Sequence, residues 1–137
     1  MKFLLDTNTC IYALKQRGAV VERLRECLPD DVAVAIITVA ELWFGARKSA
    51  RPQATRREIQ AFLVPLQVLP FDHAAAEAYA ELRHELETSG RRIGERDLLI
   101  ASIAIARGLV VVTHNVSEFG RVPASASRIG SEQTSDR

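Results

Sequence analysis

The chain has 137 residues, 47% of them hydrophobic and 26% charged, a length that suits one domain burying roughly two-thirds of the surface its unfolded form exposes. A mean hydropathy of +0.01, with no apolar run near the ~18 residues of a membrane span, excludes a disordered chain, a collagen-like chain and a helical membrane protein. Eighteen basic against seventeen acidic residues leave a formal charge of +1, so no net field draws the chain to nucleic acid. Lys2-Phe3-Leu4-Leu5 reaches Asp6 before the apolar region of a signal peptide is complete, and the expected location is the cytoplasm. Cys10 and Cys27 sit among apolar neighbours and are expected as reduced, partly buried thiols.

Lys2 to Leu5 is a short apolar run that suits a strand buried on both faces, and it is followed by helices expected at about 9–16 and 18–28. Val32 to Ile36 is a second such strand. Thr38 then offers a cap for a helix over 38–50, in which Val39, Leu42, Trp43 and Ala46 form a buried stripe. A helix over 53–65 leads to Leu66–Leu69, a weaker strand signal. Asp72 is placed to cap a helix over 73–89 that turns Ala75, Tyr79, Leu82 and Leu86 inward and Glu77, Glu81 and Glu85 outward. The segment 97–107 is apolar almost all round, a deeply buried helix, and Gly108 ends it just before the strand Leu109–Val112. Strands alternating with helices imply an α/β fold, a mainly parallel sheet with helices on both faces. Residues 1–122 form one domain; 123–137, rich in Ser and Ala, is expected to be a partly disordered tail, with a closing edge strand in question.

Topology brings distant acids together. Asp6 lies at the C-terminal end of the first strand, and Glu41 is expected in the first turn of the helix after the second. Asp97 opens a helix that runs antiparallel to the last strand, from whose end Thr113, His114 and Asn115 emerge. All four segments reach the rim where open parallel sheets bind ligands. Each pair of carboxylates ~4 Å apart repels by about 4 kcal/mol at an effective dielectric of 20, so a cation must compensate. Lys or Arg could do so; Asp, Glu and Asn oxygens also suit Mg²⁺ or Mn²⁺. His73, His84 and His114 lack zinc spacing. Taken singly, Asp6 could merely cap a helix, and Asp97 could be an N-cap salt-bridged to Arg96. Fifteen of the eighteen basic residues are Arg, whose fork matches phosphate, and they cluster at Arg47, Lys48, Arg51, Arg56 and Arg57 and at Arg91, Arg92 and Arg96.

Phe3-Leu4-Leu5-Asp6-Thr7-Asn8, Thr38-Val39-Ala40-Glu41-Leu42 with Gly45-Ala46, Asp97-Leu98-Leu99-Ile100-Ala101, and Val112-Thr113-His114-Asn115 with Glu118-Phe119 together resemble the PIN-domain ribonucleases, most closely the VapC-type toxins of type II toxin–antitoxin pairs. The resemblance implies a PIN-like three-layer α/β/α sandwich around a four- to five-stranded sheet. It makes Asp6, Glu41 and Asp97 catalytic and metal-binding, with Mg²⁺ or Mn²⁺ as cofactor. Asn115 stands where many relatives have Asp, which removes one charge and puts a second metal in doubt; Thr7, Asn8, Thr113 and Glu118 are supporting residues. It also implies a homodimer, a small VapB-like antitoxin that carries the complex to operator DNA, and tRNA as substrate, initiator tRNA first.

The expected chemistry is metal-dependent hydrolysis of RNA, in which Asp6 and Asp97 hold the ion, Glu41 is a ligand or orients the attacking water, and Asn115 and Thr113 complete the far side. Arg47, Lys48, Arg51, Arg91, Arg92 and Arg96 would grip the RNA backbone. Two rivals stand beside this. An aspartyl-phosphate phosphotransfer domain also carries an Asp after its first strand, but Asn8 stands where such phosphatases have a second Asp. A non-catalytic module would use the acidic pocket only to receive a basic partner segment.

Overall fold

The computed structural model describes residues 2–15 and 31–113 together with the backbone of 127–129. Five parallel strands form the sheet: β1 (Phe3–Leu5), β2 (Val32–Ala35), β3 (Gln67–Leu69), β4 (Val110–Thr113) and β5 (Ser127–Ile129). Their spatial order is β3-β2-β1-β4-β5, every neighbouring pair parallel. Five helices accompany them among the described residues: α1 (Thr7–Leu14), α2 (Ile36–Lys48), α3 (Pro52–Leu63), α4 (His73–Thr88) and α5 (Glu95–Arg107).

Alternation along the strands divides the core into two layers. Leu5, Val32, Val34 and Val112 pack with Cys10 of α1, Val39, Leu42 and Ala46 of α2, and Ile59 of α3. Leu4, Ala33, Ala35, Leu69 and Val111 face the other way, onto Ala75, Leu82 and Leu86 of α4 and Leu98, Ile100, Ala101, Ile103 and Ala104 of α5. The three-layer α/β/α sandwich expected from the sequence is present. In the Val-Ala-Val-Ala of β2, the valines fill the α1–α3 side and the alanines leave room on the α4–α5 side. Gly108 closes α5 in the left-handed conformation at φ 68°, and its amide and that of Leu109 return to the last turn of the helix.

Several boundaries differ from the sequence reading, each for a local reason. α1 starts at Thr7, two residues early, because the Asp6 carboxylate accepts from the Thr9 amide at 2.8 Å. α2 follows β2 directly, with Ala35 at the cap position and no side-chain cap. Thr38 therefore does not cap it: the residue is fully buried inside the helix, and its hydroxyl accepts from Thr7 Oγ1 at 3.2 Å. Glu41 consequently falls in the second turn of α2 and not the first. α5 begins at Glu95 behind Gly94, so Asp97 is its third residue and not its cap. Asp72 caps α4 as expected, accepting from the Ala75 amide at 3.0 Å. Within the stretch read as a tail, Ser127–Ile129 pairs with Val111–Thr113, so the edge strand is present. The helix expected over 18–28, Cys27, His114, Asn115, Glu118 and the rest of the tail lie outside the described residues. No helix among the described residues is long and apolar enough to cross a membrane.

Candidate active site

The chain builds β1, β2 and β3 outward in one direction and then places β4 on the other side of β1. The strand order thus reverses between β1 and β4, and a crevice opens at their carboxyl ends. Leu5 is in register with Val112, which sets Asp6 beside Thr113 at this point. The Asp6 amide donates to the Val112 carbonyl at 3.1 Å, and the Thr9 hydroxyl donates to the same oxygen at 2.9 Å. Asp6 is only 2% exposed. One of its carboxylate oxygens caps α1 through the Thr9 amide, and the other accepts from the buried Thr113 hydroxyl. Both bonds fix the carboxylate.

Asp6, Thr7 and Asn8 from the start of α1, Glu41 from α2, and Gly94 to Asp97 from the start of α5 line one cleft of about 370 Å³. The three acids singled out in the sequence therefore share a cavity although they come from separate elements. Two helix N-termini open onto it, whose dipoles favour an anion such as phosphate. Glu41 is not bare. Arg96 Nη1 donates to Glu41 Oε1, joining α2 to α5 across 55 residues of sequence. Arg96, expected among the RNA-gripping residues, thus lines the cleft and pairs with one of its acids.

The donors in the cleft are all oxygens from carboxylates, hydroxyls and an amide, with no thiol or imidazole; that set suits Mg²⁺ or Mn²⁺. Mg²⁺ is ordinarily held by one or two carboxylates with waters and substrate phosphate completing its shell, which Asp6 and Asp97 can supply. Among the described residues no three His, Cys, Asp or Glu side chains stand close enough together to hold an ion, and Glu41 is engaged by Arg96. His73 and His84 lie on α4 and do not line the cleft.

Arg91 and Arg92 line a second cleft of about 720 Å³ with Arg83, Glu87 and Glu95. Glu95 lines both clefts, so the two adjoin. It accepts from the Tyr79 hydroxyl at 2.8 Å, and Arg83 donates to Tyr79 at 3.1 Å and to Glu87 at 2.8 Å. The bond to Glu87, then that to Tyr79, holds the Arg83 guanidinium above its ordinary pKa. The other basic group sits on α2 and α3. Lys48 lies 4.8 Å over the Phe44 ring and Arg56 4.2 Å over Trp43, while Arg47 is exposed in the last turn of α2 and Arg51 precedes α3. Neither group lines the acidic cleft apart from Arg96.

Sequence reasoning missed Thr9, whose hydroxyl ties α1 to β4, and Glu95, which lines both clefts. A Thr three residues after an Asp cap is a weak signal for the first; an acid in the opening turn of a helix was available for the second. Cys10 is fully buried next to the site; burial, and secondarily the Asp6 charge, push its thiol well above the ordinary 9.0. It is therefore a packing residue, not a nucleophile.

A parallel sheet covered on both faces, with acids gathered at its switch point, defines the class of the protein. The chain belongs to the PIN domain family, which it matches over residues 3–124, and within that family to the VapC type. It is 38% identical over 122 residues to the tRNA(fMet)-specific endonuclease VapC of Shigella flexneri, covering 89% of this chain and 92% of that one. Identity to Ribonuclease VapC2 of Rickettsia felis is 38% over 125 residues, 90% and 93% of the two chains. Among solved structures, DNA-bound VapBC from Salmonella typhimurium matches with a TM-score of 0.89 at 38% identity, covering 94% of this chain and 98% of that chain. VapBC2 from Rickettsia felis bound to a promoter DNA fragment matches at 0.86 and 36%, with the same coverage.

Proposed function

We propose that this chain is the endoribonuclease toxin of a toxin–antitoxin pair and hydrolyses RNA phosphodiesters with the help of Mg²⁺ or Mn²⁺. The observation that carries the reading is the shared cleft of Asp6, Glu41 and Asp97, drawn from three separate elements to the reversal point of the sheet. When bound, a divalent cation makes water a stronger nucleophile and offsets charge building on the phosphate oxygens. Asp6 and Asp97 are the side chains that would hold it, and Glu41 would join them or orient the attacking water. Thr113 and the Thr9 amide keep Asp6 in one rotamer, so little reorganisation is needed when substrate arrives. Asn115, two residues past Thr113, is the proposed fourth member, with Thr7, Asn8 and Glu118 in support. The α1 and α5 N-termini receive the anionic phosphate, and Arg91, Arg92, Arg47, Lys48 and Arg51 steer the rest of the backbone.

Relatives named as acting on tRNA(fMet) support tRNA, and initiator tRNA first, as substrate. Solved relatives paired in VapBC complexes, two of them on DNA, support a VapB-like antitoxin that tethers the toxin to operator DNA, and a toxin homodimer is proposed with it. The cytoplasm is the compartment where such substrates lie. The test is cleavage of initiator and elongator tRNA by the purified chain, with and without Mg²⁺ or Mn²⁺, against Asp6→Asn and Asp97→Asn. Cleavage is expected to need the metal and to fall at least ~100-fold in both variants, the scale seen when a group stabilising transition-state charge is removed. Undiminished cleavage in both would end the assignment.

A further inference from the structure

Glu41 and Arg96 form a pair for which the hydrolytic chemistry has no evident use. Glu41 is flanked by Val39, Ala40 and Leu42, and its side chain is only 26% exposed, so its charge is costly without a partner. Arg96 supplies that partner from another helix, and at 67% side-chain exposure its guanidinium is free to swing outward into water. Both side chains line the cleft that also contains Asp6 and Asp97. While the pair is closed, one of the three acids is committed to an internal cation.

We propose that Arg96 is an internal counter-cation that competes with the divalent metal for Glu41, so that the acid set is completed only when the guanidinium is displaced. The inference rests on the metal-dependent reading given above. Two cations contending for one carboxylate are linked reciprocally: whatever the pair contributes is lost from metal affinity, and a bound metal weakens the pair by the same factor. For a pair this exposed, that factor is about two- to fivefold. Arg96 is thus a positioning residue that raises the metal concentration at which the site fills, and it offsets the Glu41 charge when no metal is bound.

The experiment has two readouts on the full chain. Mn²⁺ affinity is measured by the electron paramagnetic resonance of free Mn²⁺ for the wild type and Arg96→Ala. Separately, the slowly rotating guanidinium signal of Arg96, assigned by its loss in Arg96→Lys, is followed by nitrogen NMR as diamagnetic Mg²⁺ is added. Arg96→Ala is expected to bind Mn²⁺ about two- to fivefold more tightly, and Mg²⁺ to abolish the restrained guanidinium signal in the wild type. Unchanged or weaker Mn²⁺ binding in the variant overturns the proposal. So does tighter binding with a guanidinium signal that Mg²⁺ leaves untouched, since that result means general charge repulsion without exchange at Glu41. A wild type that binds no Mn²⁺ even at millimolar concentration overturns the metal reading itself, an outcome distinct from the other two.

Discussion

Asp6 carries two duties that substitution can separate. Its carboxylate caps α1 and accepts the buried Thr113 hydroxyl, both structural tasks, and its charge serves the site. Asp6→Asn keeps an oxygen for the Thr9 amide, and its new amide group can donate to Thr113 Oγ1, whose hydroxyl accepts as readily as it donates. The charge is removed, and with it the share of the repulsion among the cleft acids that Asp6 contributes. Asp6→Ala removes both bonds: a lost cap costs about 0.5–2 kcal/mol, and a buried hydroxyl without its acceptor about 1–3 kcal/mol. Because both losses fall on one residue, a combined cost of about 2–4 kcal/mol is expected. Urea unfolding of the metal-free protein should therefore place Asp6→Asn at or above the wild type and Asp6→Ala well below it, while RNA cleavage is lost in both. An Asn variant as unstable as the Ala variant, or an Ala variant within about 0.5 kcal/mol of the wild type, would refute the division between capping and charge.

Other outcomes follow from single features. Gly108 ends α5 at φ 68° with open space where a side chain would sit, so Gly108→Ala should cost about 1 kcal/mol through backbone strain alone, seen as a lower urea midpoint at unchanged slope. Cys10, held protonated by burial and then by the Asp6 charge, should resist alkylation at pH 8 in the native protein and react on unfolding, read by peptide mass spectrometry. Because the unfolded thiol ionises near 9.0 and the folded one stays protonated, the unfolded state binds fewer protons above that value, and this group's contribution to stability falls as pH rises past it. Asp72 has the opposite sign: the Ala75 amide, then Arg107, lowers its carboxyl pKa. Its contribution is present above the ordinary carboxylate value of 3.8 and disappears as pH drops through the lower folded value. An Asp72→Asn protein should lose that acid-side dependence in melts taken across the range.

Much of this fold was legible because its pattern is redundant. The apolar runs at Lys2–Leu5, Val32–Ile36 and Leu109–Val112 suited strands covered on both sides, and the strands fall at Phe3–Leu5, Val32–Ala35 and Val110–Thr113; the helix before Gly108 announced both its burial and its end. Topology then carried Asp6, Glu41 and Asp97 to one cleft without any contact being known. The helix starts were less legible, because a cap is chosen by tertiary contacts as well as by propensity. Thr38 has the chemistry of a cap but is spent on Thr7 inside the core, whereas Ala35 and Gly94, with no capping side chain, precede α2 and α5. The pairing of Arg96 with Glu41 was invisible for a different reason: a surface charge run looks alike whether it faces solvent, RNA or an acid 55 residues away. The sequence called only for a cation to offset the acids and left its identity open.

The near-neutral charge of the whole chain conceals acids collected at the sheet's switch point, one of them paired with Arg96, and the central claim is hydrolysis by water in the Asp6–Asp97 cleft. The most direct test is the chemistry of the new RNA ends after Mg²⁺-supported cleavage. Attack by water leaves a phosphate monoester at one end and a free hydroxyl at the other, with no 2′,3′-cyclic phosphate at any time point, and a chelator stops the reaction. Cyclic phosphate ends formed equally well in the presence of the chelator would mean that the RNA's own 2′-hydroxyl is the nucleophile, and would contradict the account.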